Sequence, residues 1–460
     1  MSIHHLNSQD TIIALATPQG IGAIAVIRLS GKGCVELVNK VFKGKDLTKQ
    51  EANTIHFGTI RDGEKILDEV LISLFKAPHS FTKEDSIEIS CHGSQYIVKQ
   101  IIQLLIREGA RPAQAGEFTK RAFMNGQFDL AQAEAVADLI HSDSESSHQA
   151  ALNQMRGGFS NEIKQLREQL INFASLIELE LDFGEEDVEF ADRDDLKQLV
   201  DKLLYVINKL IKSFDLGNVI KNGIPTVIAG KPNAGKSTLL NALLNEEKAI
   251  VSDIAGTTRD FIEDELHIEG VTFRFIDTAG LRQTDDKVEA IGVERTQAKM
   301  KEASLIIYLF DLITDNITEI LQEVNRLENL GKPFIPVGNK IDEADPKIID
   351  ELKANDHNWM FISADKQINI EDLKEELIRK VNLPDFKVGD TIVTNVRHYE
   401  SLLKTKESLD DVLNGLGMNI TGDFLAMDIR QALHHLGEIT GEISTDDLLG
   451  NIFSNFCIGK

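Results

Sequence analysis

The chain has 460 residues, so about three domains of ordinary size are expected. Its 42% hydrophobic content excludes a disordered or collagen-like chain, because that content can fill several cores. The net charge of −25, from 74 acidic and 49 basic residues, argues against a protein that wraps nucleic acid by itself. The three cysteines are too few and too scattered for a disulfide framework or a zinc site, and they fit a reducing cytoplasm.

Residues 1–122 mix short apolar runs with glycine and proline, which predicts an α/β or α+β domain. We expect strands at Ile24–Ile27 and Ser86–Ser90, and a helix at Gln95–Arg107 with one apolar face. No stretch of about 20 apolar residues occurs anywhere, so no membrane-spanning helix and no membrane partner are expected. The N-terminus also lacks the pattern of a signal peptide.

Residues 123–215 are predicted to be the first part of a helical domain. Between Asp129 and Asp182 apolar residues recur at spacings of three and four, and proline is absent. The run Glu178–Asp195 holds ten acids and one arginine, and its simplest interpretation is a solvated turn between helices. A further helix is expected at Asp195–Phe214.

Residues 216–382 alternate short apolar strands with amphipathic segments. The predicted strands are Pro225–Ala229, Thr272–Ile276, Leu305–Phe310, Phe334–Val337 and Met360–Ser363. This order indicates a Ras-like doubly wound sheet of parallel strands with crossover helices. Residues 383–460 are helical again, so the α/β domain is expected to be inserted into a discontinuous helical domain.

Gly230–Ser237 fits the phosphate-loop pattern G-x-x-x-x-G-K-[ST] between a predicted strand and a predicted helix. In this pattern backbone N–H groups close around phosphates, and the positive end of the helix adds to the attraction. Lys236 would reach the outer phosphates, and the Ser237 hydroxyl would bind Mg²⁺.

Three further segments resemble the other elements of a GTPase. Asn339–Asp342 resembles N-K-x-D, whose carboxylate accepts hydrogen bonds from guanine, and Ser363-Ala364 resembles the accompanying base loop. Asp277–Gly280 resembles D-x-x-G, which reaches Mg²⁺ through water and senses the γ-phosphate, and Thr258 would supply a second Mg²⁺ hydroxyl. The expected GTP-binding residues are Asn233, Ala234, Gly235, Lys236, Ser237, Thr238, Ser252, Asp253, Ile254, Ala255, Gly256, Thr257, Thr258, Asp277, Thr278, Ala279, Gly280, Asn339, Lys340, Asp342, Ser363 and Ala364.

Leu281 stands where Ras-like GTPases carry a glutamine that orients the attacking water. Either hydrolysis is negligible, or other groups orient the water and neutralise the transition state. Arg259 and Arg282 could be internal arginine fingers, although packing of the switch loops explains both more simply.

These elements, together with Gly116–Ala135 and the tail Phe456–Lys460, resemble the MnmE/TrmE family of tRNA-modification GTPases over essentially the whole chain. The resemblance implies a homodimer that works with a flavin enzyme, MnmG/GidA, whose cofactor is FAD. Together they would install an aminomethyl or carboxymethylaminomethyl group on C5 of the wobble uridine of tRNA. The tRNA would be held largely through the complex, and the protein would be cytoplasmic.

The resemblance also implies site residues. K⁺ would be bound by Asn233 and by backbone oxygens of Ser252, Ile254 and Thr257, and it would stimulate hydrolysis when G domains pair across the dimer. Glu289 would position the attacking water through a neighbouring group.

A 5-formyl- or 5,10-methylene-tetrahydrofolate is expected on the N-terminal domain, at residues that the resemblance implies. They are Arg28, Glu88, Gln127 and Lys460. Without the resemblance, each would be interpreted as a surface residue, and Gln127 departs from the basic residue usual in the family. Cys457 is interpreted as a reactive thiol near the folate or the tRNA base, with a passive small residue as the alternative.

Two other functions are possible for such a GTPase. A switch in ribosome assembly would usually add a basic RNA-binding domain, which the sequence does not show. A membrane-remodelling GTPase would need a lipid-binding patch or an apolar insertion, and neither is apparent.

Overall fold

The structure is a computed structural model that describes residues 10–182, 193–244, 264–276, 300, 302–381, 391–418, 420–454 and 456–459. The chain divides into two compact units. The first contains residues 1–141, 151–209 and 397–460, and the second contains residues 142–150 and 210–396. No helix among the described residues is both long and apolar enough to cross a membrane.

The first unit begins with a seven-stranded sheet in the order β3-β4-β5-β6-β2-β1-β7, counted within the described residues. Its strands are β1 (Ile12–Leu15), β2 (Ile24–Ser30), β3 (Phe42–Lys43), β4 (Thr54–Asp62), β5 (Lys65–Phe75), β6 (Ser86–His92) and β7 (Arg111–Pro112). The helices that accompany it are α1 (Cys34–Val41) and α2 (Gln95–Arg107). The bounds of α2 are those predicted from its apolar periodicity.

Strand alternation separates the core from the opposite face of this sheet. Ile27 lies opposite Ile89, which in turn lies opposite Ile72, and all three are fully buried. Because successive side chains point to opposite faces, the next residue, Arg28, lies on the other face directly opposite Glu88. The pairing of β2 with β6 therefore brings these two predicted site residues together.

Helices complete the first unit. They are α3 (Glu117–Met124), α4 (Leu130–His141), α5 (Glu145–Met155), α6 (Gly158–Asp182), α7 (Arg193–Asn222), α12 (Val396–Gly417), α13 (Gly422–Thr440) and α14 (Asp446–Ser454), with parts of α5 and α7 in the second unit. Helix α13 packs along α6 and also contacts α4, so segments far apart in sequence share one core. Helix α6 continues to Asp182 and α7 begins at Arg193, so the two ends of the acidic run Glu178–Asp195 are helical; residues 183–192, where the turn between helices is predicted, lie outside the described residues.

The second unit is built on a six-stranded sheet in the order β13-β12-β11-β8-β10-β9, counted within the described residues. Its elements are β8 (Ile224–Ala229), α8 (Lys236–Leu244), β9 (Asp264–Ile268), β10 (Val271–Phe275), β11 (Leu305–Asp311), α9 (Ile317–Asn329), β12 (Phe334–Asn339), α10 (Pro346–Lys353), β13 (Met360–Phe361) and α11 (Ile370–Val381). All pairings are parallel except that of β9 with β10. The antiparallel strand β9 was not predicted.

The central strand β11 is buried along its whole length. Ile307 and Leu309 belong to the core on one face of the sheet, whereas Ile306, Tyr308 and Phe310 belong to the core on the other. A strand covered on both faces is typical of a doubly wound sheet. The predicted fold class is confirmed.

Candidate functional site: a phosphate loop, a base loop and a tail on the N-terminal sheet

The phosphate loop follows β8 and ends where α8 begins. Two of its glycines cannot carry a side chain. A Cβ atom on Gly230 would lie 2.0 Å from the carbonyl oxygen of Leu309, and one on Gly235 would lie 2.3 Å from Nδ2 of Asn339. Asn233 turns the loop through a left-handed conformation, with φ of 65°. The loop therefore packs closely against the ends of β11 and β12, and its backbone N–H groups precede the N-terminus of α8.

Lys236 holds its ammonium group across this loop. Nζ donates to the carbonyl oxygens of Gly230, at 2.8 Å, and of Lys231, at 2.7 Å. Burial lowers the pKa of Lys236 from its ordinary value. Ser237 and Thr238 follow on the first turn of α8, half-buried and exposed respectively.

Asn339 joins the phosphate loop to the base loop. It ends β12, is 3% exposed, and donates from Nδ2 to the carbonyl oxygen of Ala234 at 2.9 Å. Its Oδ1 accepts from the backbone N–H of Ala364 at 3.0 Å. Ser363 is also buried, and its Oγ accepts from the N–H of Lys366. Asp342 is exposed, so its carboxylate lies at the surface beside these two loops.

Asp311 was not singled out in the sequence, yet it anchors the neighbouring lysine. Its Oδ2 accepts from Nζ of Lys340 at 2.6 Å, and its Oδ1 accepts from the N–H of Ile313. Burial alone would raise the pKa of Asp311, but the bonds from Lys340 and Ile313 hold it below its ordinary value. The sequence offered one signal for this role: Asp311 is an acidic residue at the end of a buried strand. The carboxyl ends of neighbouring parallel strands meet at the same edge of a sheet, so its side chain could have been placed beside the residues that follow β12.

On the N-terminal sheet, Arg28 and Glu88 bind each other. Nε of Arg28 donates to Oε1 of Glu88 at 2.9 Å, and Nη2 lies 2.8 Å from the same oxygen. The guanidinium also lies over the rings of Phe81 and Phe118, at 5.7 and 5.9 Å from their centroids. The two predicted folate residues thus form one partly buried pair, and a ligand carboxylate would compete with Glu88 for Arg28.

The C-terminal tail reaches this pair. Nη1 of Arg28 donates to the carbonyl oxygen of Gly459 at 3.3 Å, and the N–H of Gly116 donates to the carbonyl oxygen of Cys457 at 3.4 Å. A Cβ atom on Gly459 would lie 2.4 Å from the carbonyl oxygen of Leu15, so the tail packs directly on β1. The Cys457 side chain is exposed.

Gln127 is placed near the same end of the sheet. It is exposed, and its backbone N–H donates to the carbonyl oxygen of Ala122. The next residue, Phe128, packs on Phe81 with ring centroids 5.7 Å apart, and Phe81 is one of the two rings under Arg28.

Comparison with known proteins decides the family. Residues 11–127 match the model of the GTP-binding protein TrmE N-terminus, and residues 130–457 match that of the MnmE helical domain. A tRNA modification GTPase MnmE from Cytophaga hutchinsonii is 62% identical over 454 residues, 99% of this chain and 98% of that one. Another, from Christiangramia forsetii, is 56% identical over 470 residues, 98% of this chain and 99% of that one. The chain belongs to the MnmE/TrmE family of tRNA modification GTPases.

Membership of the MnmE/TrmE family implies binding of GTP and Mg²⁺, and the geometry of the phosphate loop is consistent with it. The close packing of Gly230 and Gly235 leaves the loop backbone uncovered by side chains at those positions, as phosphates require. Lys236 would neutralise phosphate charge, and the Ser237 hydroxyl would hold Mg²⁺, a hard cation that prefers oxygen ligands. Asn339 would keep the base loop and the phosphate loop at a fixed separation.

The remaining predicted residues of the MnmE/TrmE pattern lie outside the described residues. They are Ser252, Asp253, Ile254, Ala255, Gly256, Thr257, Thr258, Arg259, Asp277, Thr278, Ala279, Gly280, Leu281, Arg282, Glu289 and Lys460. The predicted K⁺ ligands other than Asn233, the second Mg²⁺ hydroxyl, both switch arginines and the water-positioning acid are among them.

Proposed function

We propose that this chain hydrolyses GTP to drive modification of C5 of the wobble uridine in tRNA. It acts with a flavoprotein of the MnmG/GidA type, which carries FAD, and adds an aminomethyl or carboxymethylaminomethyl group. A 5-formyl- or 5,10-methylene-tetrahydrofolate supplies the carbon. The observation that carries the proposal is the contact of Arg28 with both Glu88 and the Cys457-bearing tail.

That contact gives the folate and the thiol a common location. Arg28 could pair with a glutamyl carboxylate, or Glu88 could accept from pterin N–H groups as acids do at guanine-like edges, and because the two side chains are in contact the pair would hold one end of the folate. Gly459 is bound to Arg28, and Cys457 is two residues away with its side chain exposed. A folate bound at this pair would therefore lie beside the tail that carries Cys457, while Gln127 and Lys460 would add contacts around it.

The GTPase step is proposed to depend on K⁺. Leu281 can neither donate nor accept a hydrogen bond, so another group must replace the glutamine of Ras-like enzymes. Asn233 is exposed on the phosphate loop and offers a side-chain oxygen to a monovalent cation. K⁺ held there, with backbone oxygens of Ser252, Ile254 and Thr257, would supply the positive charge when two G domains pair. Glu289 would position the water.

The domain division proposed for this activity is an N-terminal folate and dimerisation domain (1–122), a helical domain in two parts (123–215 and 383–460) and a G domain (216–382). The net charge of −25 makes it unfavourable for the chain to hold tRNA alone. The partner would supply most of the basic surface, and the complex would work in the cytoplasm.

The proposal is tested by mass spectrometry of tRNA wobble nucleosides from cells that lack the chain. Loss of the modified uridine, restored by the parent gene and by the surface variant Lys347→Ala, is expected. Cys457→Ser should keep GTP turnover and fail to restore the nucleoside. Normal modification without the chain would refute the function, and normal modification with Cys457→Ser would refute the role of the thiol.

The cation is tested separately with purified protein. GTP turnover should rise strongly when K⁺ replaces Na⁺ at constant ionic strength, because only a cation of suitable size fits the oxygen cage. Equal rates in the two salts would contradict the cation proposal without affecting the tRNA assay.

A further inference from the structure

Three potential metal ligands converge at the end of α13, which belongs to the first unit. His434, His435 and Glu438 each offer one ligand atom, and these atoms all lie within 4.8 Å of one another. Nε2 of His434 is 3.5 Å from Oε1 of Glu438, and Nδ1 of His435 is 3.2 Å from Oε2. Each imidazole therefore faces its own oxygen of one carboxylate.

The His435–Glu438 pair is at hydrogen-bond distance and the His434–Glu438 pair is longer, and both separations are close to those of ligands around one metal ion. Ligands placed at about 2.0–2.2 Å around a tetrahedral zinc ion lie about 3.4 Å from each other. The distance of 3.5 Å at His434 exceeds an ordinary hydrogen bond. By contrast, the histidine–carboxylate pairs His92–Asp68 and His398–Glu134 both close to 2.7 Å.

The surroundings of the cluster favour a cation. Glu438 lies in the last turn of α13, which ends at Thr440, so the negative end of the helix dipole adds to the carboxylate charge. The nearby cation Arg397 donates to the carbonyl oxygen of Glu438, but its own charge is paired with Glu134. All three ligands are on one helix, so the site needs no closure between elements.

We propose that His434, His435 and Glu438 bind a divalent first-row transition ion of the zinc class. Imidazole nitrogens select Zn²⁺, Ni²⁺, Co²⁺ or Cu²⁺ over Mg²⁺, which takes oxygen ligands. The site is therefore chemically distinct from the Mg²⁺ position at Ser237. Three protein ligands leave a fourth position for water or for a donor atom from outside the chain.

The test is calorimetric titration of the full-length protein with Zn²⁺. Every titration contains excess Mg²⁺, which occupies sites made of oxygen ligands alone. Every protein tested also carries Cys457→Ser, so that the exposed thiol does not bind zinc. One site per chain is expected. His434→Ala, His435→Ala and Glu438→Ala should each weaken it by about 10- to 100-fold or more, since loss of even an outer partner of a ligand has an effect of that size.

His357→Ala is the matched control, because His357 also faces a carboxylate, Glu328, at 3.3 Å but without a second imidazole. It should leave zinc affinity unchanged. His434 is 51% exposed, so its replacement is not expected to affect folding, and circular dichroism checks this. Equal affinity in the parent and in His434→Ala, or equal weakening by His357→Ala, would overturn the assignment.

Discussion

The buried carboxylate of Glu134 should be one of the largest single electrostatic contributors to stability in the first unit. Its side chain is 8% exposed. Its Oε2 accepts from Nε2 of His398 at 2.7 Å and from Nη2 of Arg397 at 2.7 Å, and Oε1 accepts from Nε of Arg397 at 3.0 Å. Arg397 also donates to the carbonyl oxygens of Glu438 and Ile439, so this network joins α4, α12 and α13.

The magnitude follows from the pKa of Glu134. Burial alone would raise the pKa, but the charges and hydrogen bonds of His398 and Arg397 outweigh it and lower it from 4.5 to about 2. A carboxyl shifted in this way contributes about 3 kcal/mol to the free energy of unfolding at neutral pH. Breaking a buried ion pair by removing one partner has a similar effect, about 3–5 kcal/mol. We therefore expect Glu134→Gln to lower stability by about 3 kcal/mol.

The pH dependence gives an independent check. Because the folded pKa lies below the unfolded one, the contribution of Glu134 is fully present above about pH 4.5 and is lost as pH falls toward 2. The stability difference between the parent and Glu134→Gln should therefore be constant from neutral pH to about pH 5 and shrink below it.

Urea unfolding can assign the effect to one unit, because the single tryptophan, Trp359, lies in the second unit. The Glu134→Gln variant should shift the far-ultraviolet circular dichroism transition of the first unit and leave the Trp359 fluorescence transition in place. Glu178→Gln is the control, because Glu178 pairs with Arg430 at the surface and should contribute at most about 1 kcal/mol. Equal effects of the two variants, or a difference that persists at pH 2, would refute the reasoning.

Two further predictions concern the nucleotide site. Asn339→Ala removes the bonds to Ala234 and Ala364 and leaves both buried backbone groups without this partner, so GTP affinity should fall by about 10- to 100-fold. Titration with a fluorescent GTP analogue measures this, and an unchanged dissociation constant would show that the two loops are positioned by other contacts. Asp311→Asn removes the charge that anchors Lys340, so GTP binding should weaken by about three- to tenfold in the same titration. The dependence of GTP affinity on the ionisation of Asp311 should disappear in this variant. Equal affinity for Asp311→Asn and the parent would remove Asp311 from the site.

The sequence predicted correctly those elements whose conformation depends on residues close together in the chain. The helix Gln95–Arg107 and the strand–loop–helix around Lys236 depend on periodicity and glycine placement within a few residues, and both occur as expected. The pairing of Arg28 with Glu88 depends on the register of β2 with β6, which no single segment specifies. Likewise, β9 is short and half-polar, and its antiparallel pairing with β10 comes from the sheet edge that it joins.

Long-range ion pairs were out of reach for the same reason. Glu134 and Arg397 are separated by 263 residues, and each resembles an ordinary surface charge on an amphipathic helix. The pair forms only when α12 meets α4 in the fold, and Arg397 is also held by backbone oxygens at the end of α13. Asp311 could have been predicted, because its strand and that of Lys340 are adjacent in a parallel sheet.

The segment that follows the second unit is held at both of its ends by arginine contacts. Near the N-terminal end of this segment, Arg397 is bound to Glu134 on α4. Near its C-terminal end, Gly459 is bound to Arg28 on β2. Both partners precede residues 210–396 in the chain, so α12–α14 belongs to the first unit although it follows the second unit in sequence. The last crossing between the units is at Arg397, one residue after the start of α12. Along the chain, the Glu134 network is the first of these two contacts after the second unit, and the contact of the Cys457-bearing tail is the second. We therefore expect Glu134→Gln to weaken tRNA modification more than it weakens GTP turnover, and equal loss of both would place the network outside any route along this segment from the nucleotide to Cys457.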